Sequence, residues 1–147
     1  MAIPPIGGSP AEGDVIELRI PSSAAYISVA RHAVESVARR LPFGQSDVED
    51  VKLAVGEACN NAVKHSLEQD SGGPVTVRCI VSPRSLEIEV RNCHAANLPC
   101  PDVSRAPDLN KEGGLGFYLM RQLVDHVEFT WGDDFALVRL VKRIRKT

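Results

Sequence analysis

A chain of 147 residues that is 44% apolar is long enough for one compact domain around a single buried core. Its 17 Lys and Arg against 19 Asp and Glu leave a net charge of −2, the wrong sign for a general nucleic-acid binder, so no direct nucleic-acid contact is expected. No run of about 18 apolar residues predicts a membrane span, and the opening Met1-Ala-Ile-Pro-Pro-Ile-Gly-Gly8 lacks the basic-then-apolar order of a secretory signal.

Residues 1–13 read as a flexible Pro/Gly-rich lead-in, and 14–147 as one domain. Val15-Ile-Glu-Leu-Arg-Ile20 alternates and stops at Pro21, which predicts a strand. Ser22 or Ser23 then caps a helix to about Arg40, with Ile27, Ala30, Val34, Val37 and Leu41 on one face. Pro42 and Gly44 end it. Ser46-Asp-Val-Glu49 has the spacing of a capping box and opens a second helix, whose core face is Val48, Val51, Val55, Ala58 and Ala62. Ser71-Gly-Gly-Pro74 is a turn. Two alternating strands follow, Val75–Val81 and Leu86–Arg91, joined at Ser82-Pro-Arg84. From Asn92 to Gly113 no period is visible, and a structureless stretch of this length inside a small domain points to function. A helix starts at Gly114-Leu-Gly116 with Leu115, Leu119 and Leu123 in register. Two strands, around Val127–Trp131 and Phe135–Val141, complete the chain before the basic tail Lys142–Lys146. Hairpins rather than βαβ repeats predict an α/β (α+β) two-layer sandwich: a mixed, mostly antiparallel sheet with helices on one face.

The four cysteines, Cys59, Cys79, Cys93 and Cys100, contain no pair with a two-residue gap, which fits a reduced cytoplasmic protein. Cys93, His94 and Cys100 offer three metal-type ligands, and a closed site would need a fourth.

Two segments carry chemistry. In Glu57-Ala-Cys-Asn-Asn61-Ala-Val-Lys64-His65 the carboxylate, the amide and the imidazole recur every four residues, so a helix lines them up along one edge with Lys64 beside them. That grouping suits an anionic ligand with a metal and chemistry that removes a proton; a solvated helix edge is the plainer alternative. In Glu112-Gly-Gly-Leu-Gly-Phe117, glycines at a helix start let backbone N–H groups approach an anion. Alone, the same cluster is also an ordinary turn into a helix.

Taken together and in this order, the two segments resemble the GHKL (Bergerat-fold) ATPase and kinase superfamily, whose fold is that of the histidine-kinase-like ATPases. Within it the likeness is to the bacterial anti-sigma-factor serine/threonine kinases of partner-switching systems. It spans about Val15 to Val141. Glu57-x-x-x-Asn61-Ala-x-x-His65 is similar to the N box, and Gly114-Leu-Gly-Phe-Tyr-Leu-Met120 with Leu123-Val-Asp125 to the second glycine box.

The resemblance implies that Glu57 is the general base for a substrate serine, and that Asn61 binds the Mg²⁺ that bridges the phosphates of ATP. Lys64 and His65 would sit near the phosphates or hold the helix edge. Gly114, Leu115 and Gly116 would fold over the triphosphate. The loop 95–113 would be the ATP lid, with Lys111 a phosphate contact. Asn92 stands where the family carries an Asp that accepts a hydrogen bond from the adenine amino group, and His94 and Ala96 replace the two glycines that follow. The implied function is a kinase that phosphorylates a serine of an anti-anti-sigma (STAS-type) partner and sequesters a sigma factor, as a homodimer and without membrane contact. Arg31, Arg39 and Arg40 on the first helix are the candidate partner contacts. The alternative is a catalytically weak or inactive regulator of the same fold that acts by protein–protein contact.

Overall fold

β-branched residues at every second position build the strands, and apolar residues at helical spacing build the faces laid on them. The computed structural model describes residues 8, 10–68, 73–93, 114–131 and 135–145. In chain order it forms β1 (Val15–Ile20), a 3₁₀ turn (Ala24–Tyr26), α1 (Ile27–Ala38), α2 (Gln45–Glu68), β2 (Val75–Ser82), β3 (Ser85–Cys93), α3 (Gly114–Leu123), β4 (His126–Trp131) and β5 (Phe135–Arg143). The expected element order is therefore present. Ser23 caps the 3₁₀ turn, its hydroxyl accepting from Ala25 N–H at 3.3 Å. The capping box at Ser46 does not open α2. The helix starts one residue earlier, with Val48 N–H donating to the Gly44 carbonyl at 3.1 Å. Glu49 turns to Gln45 Nε2 (3.5 Å) and Lys52 Nζ (3.6 Å).

The five strands lie in the order β1-β2-β3-β5-β4, and every described pairing is antiparallel. β5 is thus inserted between β3 and β4, which leaves β4 as one edge and β1 as the other. One face of the sheet is apolar: Val75, Val77, Cys79 and Val81 on β2, with Leu86, Ile88 and Val90 on β3, are buried under the helices. Ala30, Val34 and Val37 of α1, Val51, Val55 and Ala58 of α2, and Phe117 and Met120 of α3 close this core from above. Phe117 meets Phe129 of β4 edge-on, with ring centroids 4.4 Å apart. Burial pushes the Cys59 and Cys79 thiols up to about 12, so both are neutral packing groups rather than metal ligands.

The open face carries a row of alternating charge across all five strands. Glu17 lies 3.9 Å from Arg78, and Arg78 lies 3.7 Å from Glu89. Arg139 then bonds Glu87 at 2.7 Å and Glu128 at 2.5 Å. The Arg139 hydrogen bond holds the Glu128 carboxyl below its usual range. Exposed pairs of this kind are screened by solvent and individually contribute little.

One inward-facing polar residue of β5 ties the helix layer together. Lys142 is buried, donates to the Leu123 carbonyl at 2.7 Å, and lies 3.6 Å from both Asp47 and Asp50. It places a cation at the C-terminus of α3, where the helix dipole favours one, while at the first turns of α2 it is held by the Asp47 and Asp50 carboxylates against the sign of that helix's dipole. Because Leu123 of α3 is thereby held near the start of α2, α3 runs antiparallel to α2. Next to it, burial raises the Asp125 carboxyl, but the Arg143 N–H (2.7 Å) and the Arg145 guanidinium (2.5 Å) outweigh that and hold it below the usual carboxylate range. Among the described residues no helix is long and apolar enough to cross a membrane.

Candidate functional site

Helix α2 lies between α1 and α3, so one of its edges is wrapped by α3 and the other by α1. Its core side uses Val51, Ala54, Val55 and Ala58, all fully buried. The 100° step per residue then turns Glu57 and Asn61 toward α3. Glu57 is half-buried and Asn61 is buried. Lys64, on the next turn, is half-buried and engaged rather than free.

The start of α3 closes on this pair. A Cβ added at Gly116 would stand 2.8 Å from Glu57 Oε2 and 3.4 Å from Asn61 Nδ2. The requirement for glycine here is therefore space and not backbone freedom: Gly116 lies within α3, and the described glycine with a left-handed φ is Gly13, at +87°, where β1 begins. The two segments singled out in the sequence, more than fifty residues apart, meet at one point. Nδ2 of Asn61 is buried without a hydrogen-bond partner. An unsatisfied buried amide costs about 1–3 kcal/mol. A buried amide beside a carboxylate, under a helix start with room only for hydrogen, fits a metal-bound anion with hard oxygen ligands.

Asn92, at the end of β3, is buried, and its Nδ2 donates to the Ala62 carbonyl at 3.4 Å. The amide thus spends its donor on α2, one residue beyond Asn61, and leaves Oδ1 as the group with which it can accept. Asp at this position has no donor and would set two acceptors against each other. Asn92→Asp is expected to lower stability by about 1–3 kcal/mol. Urea unfolding checks this: the midpoint falls while the slope stays that of the unsubstituted chain.

The three arginines of α1 divide. Arg39 bonds Glu35 at 2.9 Å, which holds the Glu35 carboxyl below its usual range, and Arg40 donates to the Ser36 carbonyl (2.5 Å) and hydroxyl (2.7 Å). Arg40 is spent on its own helix, and Arg39 also reaches α2, donating to Gln45 Oε1 at 3.5 Å. Arg31 crosses onto α2: its Cδ is 2.9 Å from where a Cβ at Gly56 would be, and its Nε is buried without a partner. Gly56 had drawn no attention in the sequence; its signal is a glycine in mid-helix, which marks a close packing contact.

Several expected site groups lie outside the described residues: Lys111, the loop 95–113, His94 and Ala96, and Cys100. His65, Gly114 and Leu115 have described backbone, in α2 and in the first turn of α3, and the side chains of His65 and Leu115 lie outside the described part. Among the described residues no cluster of His, Cys, Asp and Glu could hold a metal by itself.

Residues 20–142 match the family model of the histidine kinase-like ATPase domain. The serine-protein kinase RsbW of Bacillus velezensis is 37% identical over 123 residues, covering 78% of this chain and 77% of the relative. Among solved structures, the RsbU and RsbW domains of a Mycobacterium tuberculosis protein superpose with a TM-score of 0.67 at 15% identity, over 91% of this chain and 33% of that one. The SiaB–SiaC complex of Pseudomonas aeruginosa gives 0.62 at 16% identity, over 86% of this chain and 88% of that one. At those identities the structures speak for the fold, the three helices and five-stranded antiparallel sheet found here. The domain match and the 37% identity go further: the chain belongs to the histidine kinase-like ATPase family and, within it, to the RsbW-type serine-protein kinases.

Proposed function

We propose that this chain is an Mg²⁺- and ATP-dependent protein serine kinase that phosphorylates a serine of an anti-anti-sigma (STAS-type) partner and sequesters a sigma factor, as a cytoplasmic homodimer. The observation that carries the reading is the contact of Gly116 with Glu57 and Asn61, which brings the glycine-rich helix start onto the polar edge of α2. Bound Mg-ATP supplies the phosphoryl group.

The remaining roles belong to the chain. Glu57 Oε takes the proton of the serine hydroxyl as the oxygen attacks the γ-phosphorus and the bond to the β-phosphate oxygen breaks, leaving Glu57 protonated and ADP with the electron pair. Asn61 Oδ1 is the hard ligand for Mg²⁺. Gly114, Leu115 and Gly116 present backbone N–H groups at the N-terminus of α3, where negative charge is favoured. Lys64, His65 and Lys111 neutralise the phosphate edge. Asn92 Oδ1 accepts from the adenine amino group, its orientation supported by the bond to Ala62. Arg31, extended across Gly56 on the other, α1-facing edge of α2, is the favoured partner contact on α1.

That RsbW relatives are named serine-protein kinases supports the reaction, and the SiaB–SiaC complex is a precedent for a protein partner held by this fold.

Calorimetry with ATP, with and without Mg²⁺, tests the nucleotide site. Heat of binding is expected at millimolar ATP with Mg²⁺, and its absence would sink the proposal in favour of a regulator that acts by contact alone. Asn61→Ala should abolish both the metal dependence and the transfer. Metal-dependent turnover by that variant would remove Asn61 from the role.

A further inference from the structure

Among the described residues, two of the exposed large apolar side chains lie within a turn of the Glu57–Gly116 contact: Leu53 on α2, 51% exposed, and Leu119 on α3, 37% exposed. Leu53 lies one turn before Glu57 on the same face of α2. Leu119 lies one turn after Gly116, the residue packed on Glu57. Since α3 runs antiparallel to α2, both leucines lie on the same side of the Glu57–Gly116 contact, toward the start of α2. The two side chains thus border the seam where α2 packs on α3, one on each helix, beside the carboxylate.

We infer that this Leu53–Leu119 seam docks the polypeptide that carries the acceptor serine and selects an apolar side chain beside that serine. The inference rests on the reading of Glu57 as the base. A serine hydroxyl that gives its proton to Glu57 must come within about 3 Å of it. The chain on either side of the serine then has to lie over neighbouring surface. An extended residue spans about 3.3 Å and a helical turn 5.4 Å, so a residue two places from the serine reaches the level of Leu53.

Among the described residues, it meets there the apolar side chains of Leu53 and Leu119. Lys52, the adjacent cation on α2, is held by Glu35 at 3.5 Å and Glu49 at 3.6 Å. An exposed leucine pair within a turn of the base is an unfavourable surface in the free chain and becomes favourable once covered. The occupant is thus a protein segment with an apolar residue near its serine, rather than a charged peptide.

The test uses the full chain, Mg-ATP, and a purified STAS-domain protein of the source organism as acceptor. Leu53→Asp and Leu119→Asp are each expected to raise KM for the acceptor about tenfold, with kcat at saturating acceptor changed less than about twofold and Mg-ATP affinity by calorimetry unchanged. Leu53→Met should keep the original KM. Leu53 is half exposed, so Leu53→Ser serves as a milder second variant, with thermal unfolding as the check on folding. If the aspartate variants keep the original KM while the unsubstituted chain transfers phosphate, the docking seam is overturned and the kinase reading stands. If the unsubstituted chain transfers no phosphate to any STAS-domain protein of that organism, the reading fails and the docking seam with it.

Discussion

Glu57→Gln is expected to lower phosphotransfer by about 10²–10⁴-fold, the usual contribution of a positioned general base. Gln keeps the size of the side chain and its place under Gly116, but its amide cannot take a proton from the serine. Mg-ATP binding should persist, because the metal ligand assigned here is Asn61 and the phosphates face the start of α3. Single-turnover transfer measured beside calorimetric ATP affinity separates the two effects. Transfer at the original rate with Glu57→Gln would show that another group accepts the proton. Loss of ATP binding together with transfer would show that the carboxylate holds the metal instead.

Gly116→Ala sets stability and activity in opposition. In the first turn of a helix Ala is still favoured over Gly, by less than the roughly 1 kcal/mol of a helix interior. The added methyl group, however, would stand 2.8 Å from Glu57 Oε2. That atom is the end of a flexible side chain and can swing aside at small cost to the fold, so the midpoint of thermal unfolding should hold or rise. A displacement of about 1 Å in a reacting group can cost about 10² in rate, and the transfer should fall by about that factor. A variant that is as stable as the original and equally fast would mean that Glu57 need not occupy its present position. A variant that is both slow and unstable would mean that the methyl group had moved α3 rather than the carboxylate.

The sequence disclosed what is local. Glu57, Asn61 and His65 recur at a helical interval, and the alternation in β2 and β3 sorts core from surface, because both are consequences of backbone geometry within one element. The chain order of the elements followed from the same periodicities. What it did not disclose depends on distant partners. No pattern within β4 or β5 says that β5 rather than β4 pairs with β3, since both are short alternating runs of similar composition. Nothing in Gly114-Leu-Gly116 says that its second glycine abuts a carboxylate, or that space and not φ is the reason. Lys142 reads as the start of a basic tail, whereas the register of β5 turns it inward to Leu123, Asp47 and Asp50. Asn92 stands in the sequence where the resemblance expects an acidic residue. Its bond to Ala62 gives the amide a use that an acid could not serve.

The row of charges on the open face has a bearing on how the sheet finds its pairing. Inside, β2 and β3 offer near-identical apolar side chains at every second position, so a slide of two residues would leave the core almost as greasy as before. Outside, the same slide is not neutral. In the observed alignment Arg78 faces Glu17 and Glu89. Moved by two in one direction on each side, it faces Arg19 and Arg91 instead, and like charges oppose each other across adjacent strands. Each pair contributes little to holding the finished sheet, yet together they act as a vernier scale: four pairings that coincide in the observed alignment.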